Sequence, residues 1–120
     1  MKYYSEEDMK DLRLGFDEKV LQWQQVSTKK MFGCPCYKTN GKLFAFLVTN
    51  GIMITKLAQA DRETISSQHQ TTAFQAGKKI VQKWVRIPIK NKRDMDQIML
   101  FVRKSYESAL QDNDQAHLPL

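Results

Sequence analysis

This chain is poor in the residues that usually carry chemistry. It has two histidines, His69 and His117, and neither has an obvious nucleophile or carboxylate partner. Its five glycines are scattered, so no phosphate-cradling loop can be drawn. The two cysteines, in Cys34-Pro35-Cys36, are too few for a disulfide framework. A four-ligand zinc site would have to recruit both histidines, one from a predicted loop and one from the tail. The longest apolar run, Leu43–Val48, is far too short to span a bilayer. Met1–Met9 is polar and acidic, unlike a secretory leader. These absences argue against an enzyme, a bound cofactor or metal, and a membrane protein. They favour the cytoplasm.

Acids are scarce in the middle of the chain. Residues 27–93 hold 13 Lys or Arg and only Asp61 and Glu63, a local charge of +11. The first 26 residues carry −2 and residues 94–120 carry −3, which makes the overall charge +6. At 120 residues the chain is one domain, 1–120, and long enough to bury a core without staples.

What is present is turn chemistry. The stretch Lys30–Leu57 holds two Asn-Gly pairs, Asn40-Gly41 and Asn50-Gly51, each between aromatic and aliphatic runs. Asn-Gly supplies the positive φ angles of a type I′ turn, so a three-stranded meander is expected over about 30–39, 42–49 and 52–57. Two-residue loops pair Thr39 with Lys42 and Tyr37 with Phe44, then Thr49 with Ile52 and Val48 with Met53. Alternation then puts Tyr37, Phe44, Phe46, Val48 and Met53 on one face, and Cys34, Cys36, Leu43, Ala45, Leu47, Ile52 and Ile54 on the other. Both faces are apolar, so each needs a cover.

Around the meander, Ser5 caps a helix over about 6–24, whose stripe is Met9, Leu12, Phe16, Val20 and Trp23. Gln59–Ser67 is a short helix. Thr72–Gln75 and Lys79–Ile89 form a second hairpin around Ala76-Gly77. Asn91 caps a last helix that runs to about Gln111 with Met95, Ile98, Val102, Tyr106 and Ala109 inward, and the last ten or so residues form a polar tail. The fold class is α+β: two layers, an antiparallel meander sheet of about five strands, and flanking N- and C-terminal helices.

Three groups of residues are candidates for function. Cys34 and Cys36 are a possible redox pair, although i and i+2 on an extended strand sit about 6.6 Å apart, at the edge of disulfide geometry. Packed strand cysteines are the better reading. Lys78, Lys79 and Lys83, within a basic set that includes Lys29, Lys30, Arg86, Lys90, Lys92 and Arg93, could contact a polyanion such as nucleic acid. The plainer reading is solvated strand edges. The acids Glu6, Glu7, Asp11 and Glu18 read as the wet side of the first helix.

Lys30-Met31-Phe32-Gly33, Gly41-Lys42-Leu43-Phe44-Ala45, the Thr55-Lys56 strand end, Phe74 and Val85-x-x-Pro88 together resemble the N-terminal domain of the TfoX/Sxy competence regulators over about 27–110. The family usually has a glycine-rich run after Met-Phe-Gly, where this chain has Cys34-Pro35-Cys36. The resemblance implies a two-layer α/β domain with a regulatory or interaction role in bacteria, without known catalysis. It also implies the N-terminal module alone, because full-length competence regulators carry a second helical domain. If the helices cover the aromatic face of Phe44, Phe46 and Met53, then Leu43, Leu47, Ile52 and Ile54 form an exposed interface. A homodimer is the commonest way to bury such a patch. The expected function is a non-catalytic regulatory or protein-interaction module, with direct nucleic-acid binding as the alternative and thiol sensing as a third reading.

Overall fold

The computed structural model describes residues 3–76 and 78–112. Among them, six strands form one antiparallel sheet and three helices accompany it. In chain order the elements are α1 (Glu6–Val20), β1 (Val26–Met31), β2 (Cys34–Thr39), β3 (Lys42–Val48), β4 (Gly51–Ile54), α2 (Gln59–Gln68), β5 (Thr72–Ala76), β6 (Lys79–Pro88) and α3 (Lys92–Gln111). The strand order is β1-β2-β3-β4-β6-β5. The class is α+β, as expected. Gly77 and residues 113–120, which include the expected tail, lie outside the described residues.

Both expected helix caps form. Ser5 Oγ accepts from Asp8 N at 3.3 Å, and Asn91 Oδ1 accepts from Asp94 N at 2.9 Å. The first helix is shorter than its apolar stripe suggests. It stops at Val20, and Gln25 takes a left-handed φ of 64° that turns the chain into β1. Trp23 still packs inward, with its ring 5.0 Å from Tyr106 and 6.3 Å from Phe44.

The expected first strand, 30–39, is in fact two strands. Phe32 (φ 56°) and Gly33 (φ 78°) make a tight turn, and the residues before it run back as β1 beside β2. No Asn-Gly marks this turn, and β1, with Lys29 and Lys30, is largely exposed on both faces, so its residues lack the apolar alternation of a strand. The Asn40-Gly41 turn forms as expected, with φ of 54° and 74°. At the next turn the loop is Thr49-Asn50, because Val48 pairs with Gly51, Leu47 with Ile52 and Phe46 with Met53. Only Asn50 is left-handed there (φ 59°). Gly51 is needed for closeness instead: a Cβ would stand 3.2 Å from the Ile87 carbonyl oxygen of β6.

A bulge decides which face is which. Thr39 pairs with Lys42 and Lys38 with Leu43, but Tyr37 then pairs with Ala45 and Cys36 with Phe46, leaving Phe44 as the extra residue. From there the alternation is reversed relative to a plain ladder. Tyr37, Ala45, Leu47, Ile52 and Ile54 share one face, joined by Phe44. Cys36, Phe46 and Met53 share the other. Helix contacts identify the first face as the covered one. Phe16 of α1 meets Tyr37 edge-on at 4.9 Å, Tyr106 of α3 meets Phe44 at 5.4 Å, and α3 lies along β2, β3 and β4. On the second face Trp84 of β6 meets Phe46 at 5.4 Å.

The assignment of faces is therefore corrected. The helices do cover Phe44, but they leave Phe46 and Met53 on the far side. The residues expected as an open interface are inside: Leu47, Ile52 and Ile54 are buried in the single chain, and Leu43 is half-buried. The patch that called for a dimer is not on the surface.

The left-handed glycines give a direct test. A Cβ on Gly33 or Gly41 meets no atom within 4 Å, so substitution tests backbone conformation alone. Gly33→Ala and Gly41→Ala should each cost about 1 kcal/mol, seen as a lower urea midpoint with unchanged slope. Wild-type midpoints would show that these turns are not held left-handed in solution.

Candidate functional site

A concavity of about 970 Å³ lies between α1 and the β1–β2 edge. Its floor is Thr28, Pro35 and Tyr37 and its wall is Glu6, Arg13 and Asp17; Phe32, Gly33, Lys29 and Lys30 stand around the hairpin side. The local fold explains the grouping. Glu6, Arg13 and Asp17 are seven and four residues apart, so they follow one line down α1. Tyr37 reaches that line because it shares the covered sheet face.

The wall is a continuous ionic chain. Tyr4 donates from its hydroxyl to Glu6 at 2.6 Å. The Arg13 guanidinium grips Glu6 through Nε at 2.8 Å and Nη2 at 2.7 Å, then reaches Asp17 through Nη1 at 2.9 Å. The Tyr37 hydroxyl donates to the other oxygen of Asp17. A fork–fork pair of this kind is far more directional than a lysine contact. The Arg13 hydrogen bonds, followed by that of Tyr4, hold the Glu6 carboxyl down at about 2. Burial, and then the carboxylate each one bonds, push the Tyr4 and Tyr37 phenols up. Arg13 is held more firmly charged by Glu6. Both phenols therefore stay protonated as donors, and the Glu6 carboxylate stays ionised as an acceptor.

None of this was among the candidate residues read from sequence. The sequence alone places Glu6 on the wet side of the first helix and singles out none of Arg13, Asp17 and Tyr4. A usable signal existed: an Arg with acids at i−7 and i+4, beside the Phe16 stripe, marks a helix edge turned toward a neighbour.

The residues that were singled out are dispersed. Cys34 and Cys36 are buried on the far face, and their thiols donate to the carbonyls of Phe32 (3.9 Å) and Cys34 (3.4 Å). Burial pushes the Cys34 thiol up to about 11 and raises that of Cys36. Among the described residues no three His, Cys, Asp or Glu side chains gather as metal ligands. Lys78, Lys79 and Lys83 are exposed around the β5–β6 hairpin, whereas Lys29 and Lys30 lie on β1. β1 and β5 are opposite edges of the sheet, five strand spacings or roughly 24 Å apart. The basic middle of the sequence thus divides in two. Among the described residues no helix is long and apolar enough to cross a membrane.

The sequence model of the TfoX N-terminal domain matches residues 18–109, from the last turn of α1 almost to the end of α3. The chain belongs to the TfoX N-terminal domain family. Searches of curated proteins and of solved structures gave no significant match. The family match takes in Tyr37, both cysteines and the whole sheet of this TfoX N-terminal domain. The Glu6–Arg13–Asp17 line lies just before it.

Two predictions follow from these side chains. The Glu6 carboxyl should titrate near pH 2, and Arg13→Ala should return it toward its ordinary 4.5, read by carbon-detected NMR. Because folding lowers this carboxyl, the stability it contributes is complete above about pH 4.5 and fades as pH falls toward 2. The Arg13→Ala protein should lose less stability across that window. For the cysteines, a thiol reagent at pH 8 should label the native protein at least about a hundredfold more slowly than the urea-unfolded chain. Equal rates would place the thiols at the surface.

Proposed function

We propose that this TfoX N-terminal domain is a non-catalytic regulatory module that works by contact with another protein in the bacterial cytoplasm. Family membership supports a regulatory or interaction role at the coarse level. The observation that carries the non-catalytic part is the saturation of the cleft wall. A general acid or base needs a pKa near the working pH and a free position toward substrate. Here Glu6 is clamped in its ionised form, the two phenols in their protonated form, and Arg13 is divided between two carboxylates. The cysteines, raised and buried, are poor nucleophiles.

A second reading, nucleic-acid binding, draws on the exposed Lys78, Lys79 and Lys83. Three lysines on one hairpin favour weak phosphate attraction without base reading. One experiment separates the two. A photoreactive amino acid placed at Leu100, which is 62% exposed, or at Phe32, 65% exposed, should give a discrete protein adduct on irradiation of living cells. Nucleic-acid adducts alone would favour the second reading. In anisotropy titrations, binding to duplex DNA should be independent of sequence, fall evenly when all three lysines become Glu, and vanish by about 0.2 M salt. A sequence-selective complex at physiological salt would reverse the order of the two readings.

A further inference from the structure

Among the described residues β1 is the outermost strand on its side of the sheet, with β2 its only strand neighbour. Met31 and Cys34 close a two-residue turn, so Met31, Lys29 and Ser27 exchange backbone bonds with β2. Val26, Thr28 and Lys30 then direct their N–H and C=O groups outward, and no described residue pairs with them. The cleft runs along this same edge: Thr28 and Lys30 share the face of Tyr37 and line it. At its end stands Phe32, 65% exposed, left-handed, with its ring 6.0 Å from that of Tyr3. A bulky aromatic at positive φ is uncommon, and this one is also turned into solvent.

We propose that β1 is a docking edge for an extended, acidic segment of a partner protein, which adds to the sheet as a seventh strand. This rests on the interaction reading above and names the kind of partner it implies. Charge complementarity selects the occupant. Lys30 stands on the cleft side of the edge and Lys29 on the reverse side, so acids on either face of an incoming strand find a lysine. An apolar side chain of that strand rests on Phe32 and Pro35. A second copy of this chain fits poorly, because twofold pairing of β1 with itself brings lysines on the two strands close together. Nucleic acid fits poorly too. A phosphate chain offers nothing that donates to the outward carbonyls of the edge.

The test uses the full chain and a short, blocked peptide alternating valine with aspartate or glutamate; the control peptide has lysine in place of the acids. The acidic peptide should bind, the control should not, and NMR should show slowed amide exchange at Thr28 and Lys30. Thr28→Pro removes one outward N–H without touching the bonds to β2, so this variant should fold normally yet bind about tenfold or more weakly. Lys29→Glu with Lys30→Glu should exchange the preference between the two peptides. Unchanged affinity in Thr28→Pro, or displacement of the peptide by duplex DNA that itself binds Thr28→Pro as well as wild type, would overturn the proposal in favour of simple charge attraction. Failure of the peptide to bind while photocrosslinking at Leu100 still yields a protein adduct would sink the docking edge and leave the interaction reading in place. Failure of both would remove both.

Discussion

The extra residue at Phe44 is the constraint on which the arrangement depends. A bulge leaves backbone groups without ladder partners, and they must be satisfied elsewhere or the sheet loses more than it gains. Here the Phe44 carbonyl accepts from Thr55 N at 3.2 Å and from the Ser105 hydroxyl at 2.7 Å. Ser105 also accepts from Lys56 N at 3.0 Å, and the Thr55 hydroxyl donates to the Leu43 carbonyl at 2.8 Å. One fully buried serine on α3 therefore ties the helix to the strand and to the exit of β4. In return, the bulge turns Phe44 and Tyr37 toward the helices together. Phe44 meets Tyr106 and Trp23, and Tyr37 meets Phe16 and Asp17. Without the bulge Tyr37 would not stand where the ionic line on α1 can end on it.

Much of this was legible in the residues. The helix caps at Ser5 and Asn91, the Asn40-Gly41 turn, the β5–β6 hairpin and the inward stripes of α1 and α3 all follow from local rules, because each is set within a few residues. The family resemblance was carried by short motifs and is matched over residues 18–109. What could not be read is what non-local contacts decide. β1 has no strand pattern because an exposed edge does not need one. The register at Asn50 is set by β6 pressing on Gly51. The bulge is paid for by Ser105, 61 residues away, so face alternation drawn from β2 and β3 alone came out reversed for Phe46, Leu47, Ile52 and Ile54.

The cleft was illegible for a related reason. A salt-bridged Arg on a helix looks the same in sequence whether it faces water or a sheet. Arg13 gains its meaning only from Tyr37 across the interface. The cysteines show the converse. Cys-Pro-Cys looks reactive as a string, yet position on the buried far face makes its thiols weak acids. Pro35 has a structural part as well: the β2–β3 ladder ends at Cys36, one residue before a backbone nitrogen with no hydrogen to give.

The strand order has a consequence for how the molecule opens. The chain leaves β4, passes through α2 and β5, and only then returns as β6 to pair with β4. Among the described residues β5 pairs with β6 alone, and Thr72, Ala73 and Gln75 are exposed. β1 to β4 form a run of tight hairpins whose partners are near neighbours in sequence, so they assemble without closing long loops. By topology the β1–β4 run and the β5–β6 hairpin each close locally, and the β4–β6 pairing joins them across the longer connection. Amide exchange would spread over a wide range of opening free energies, with β5 at the low end and β3 at the high end. The two edges of one sheet thus differ in setting: β1 leads straight into a run of tight hairpins beside the α1 cleft, and β5 enters the sheet only after the α2 crossover.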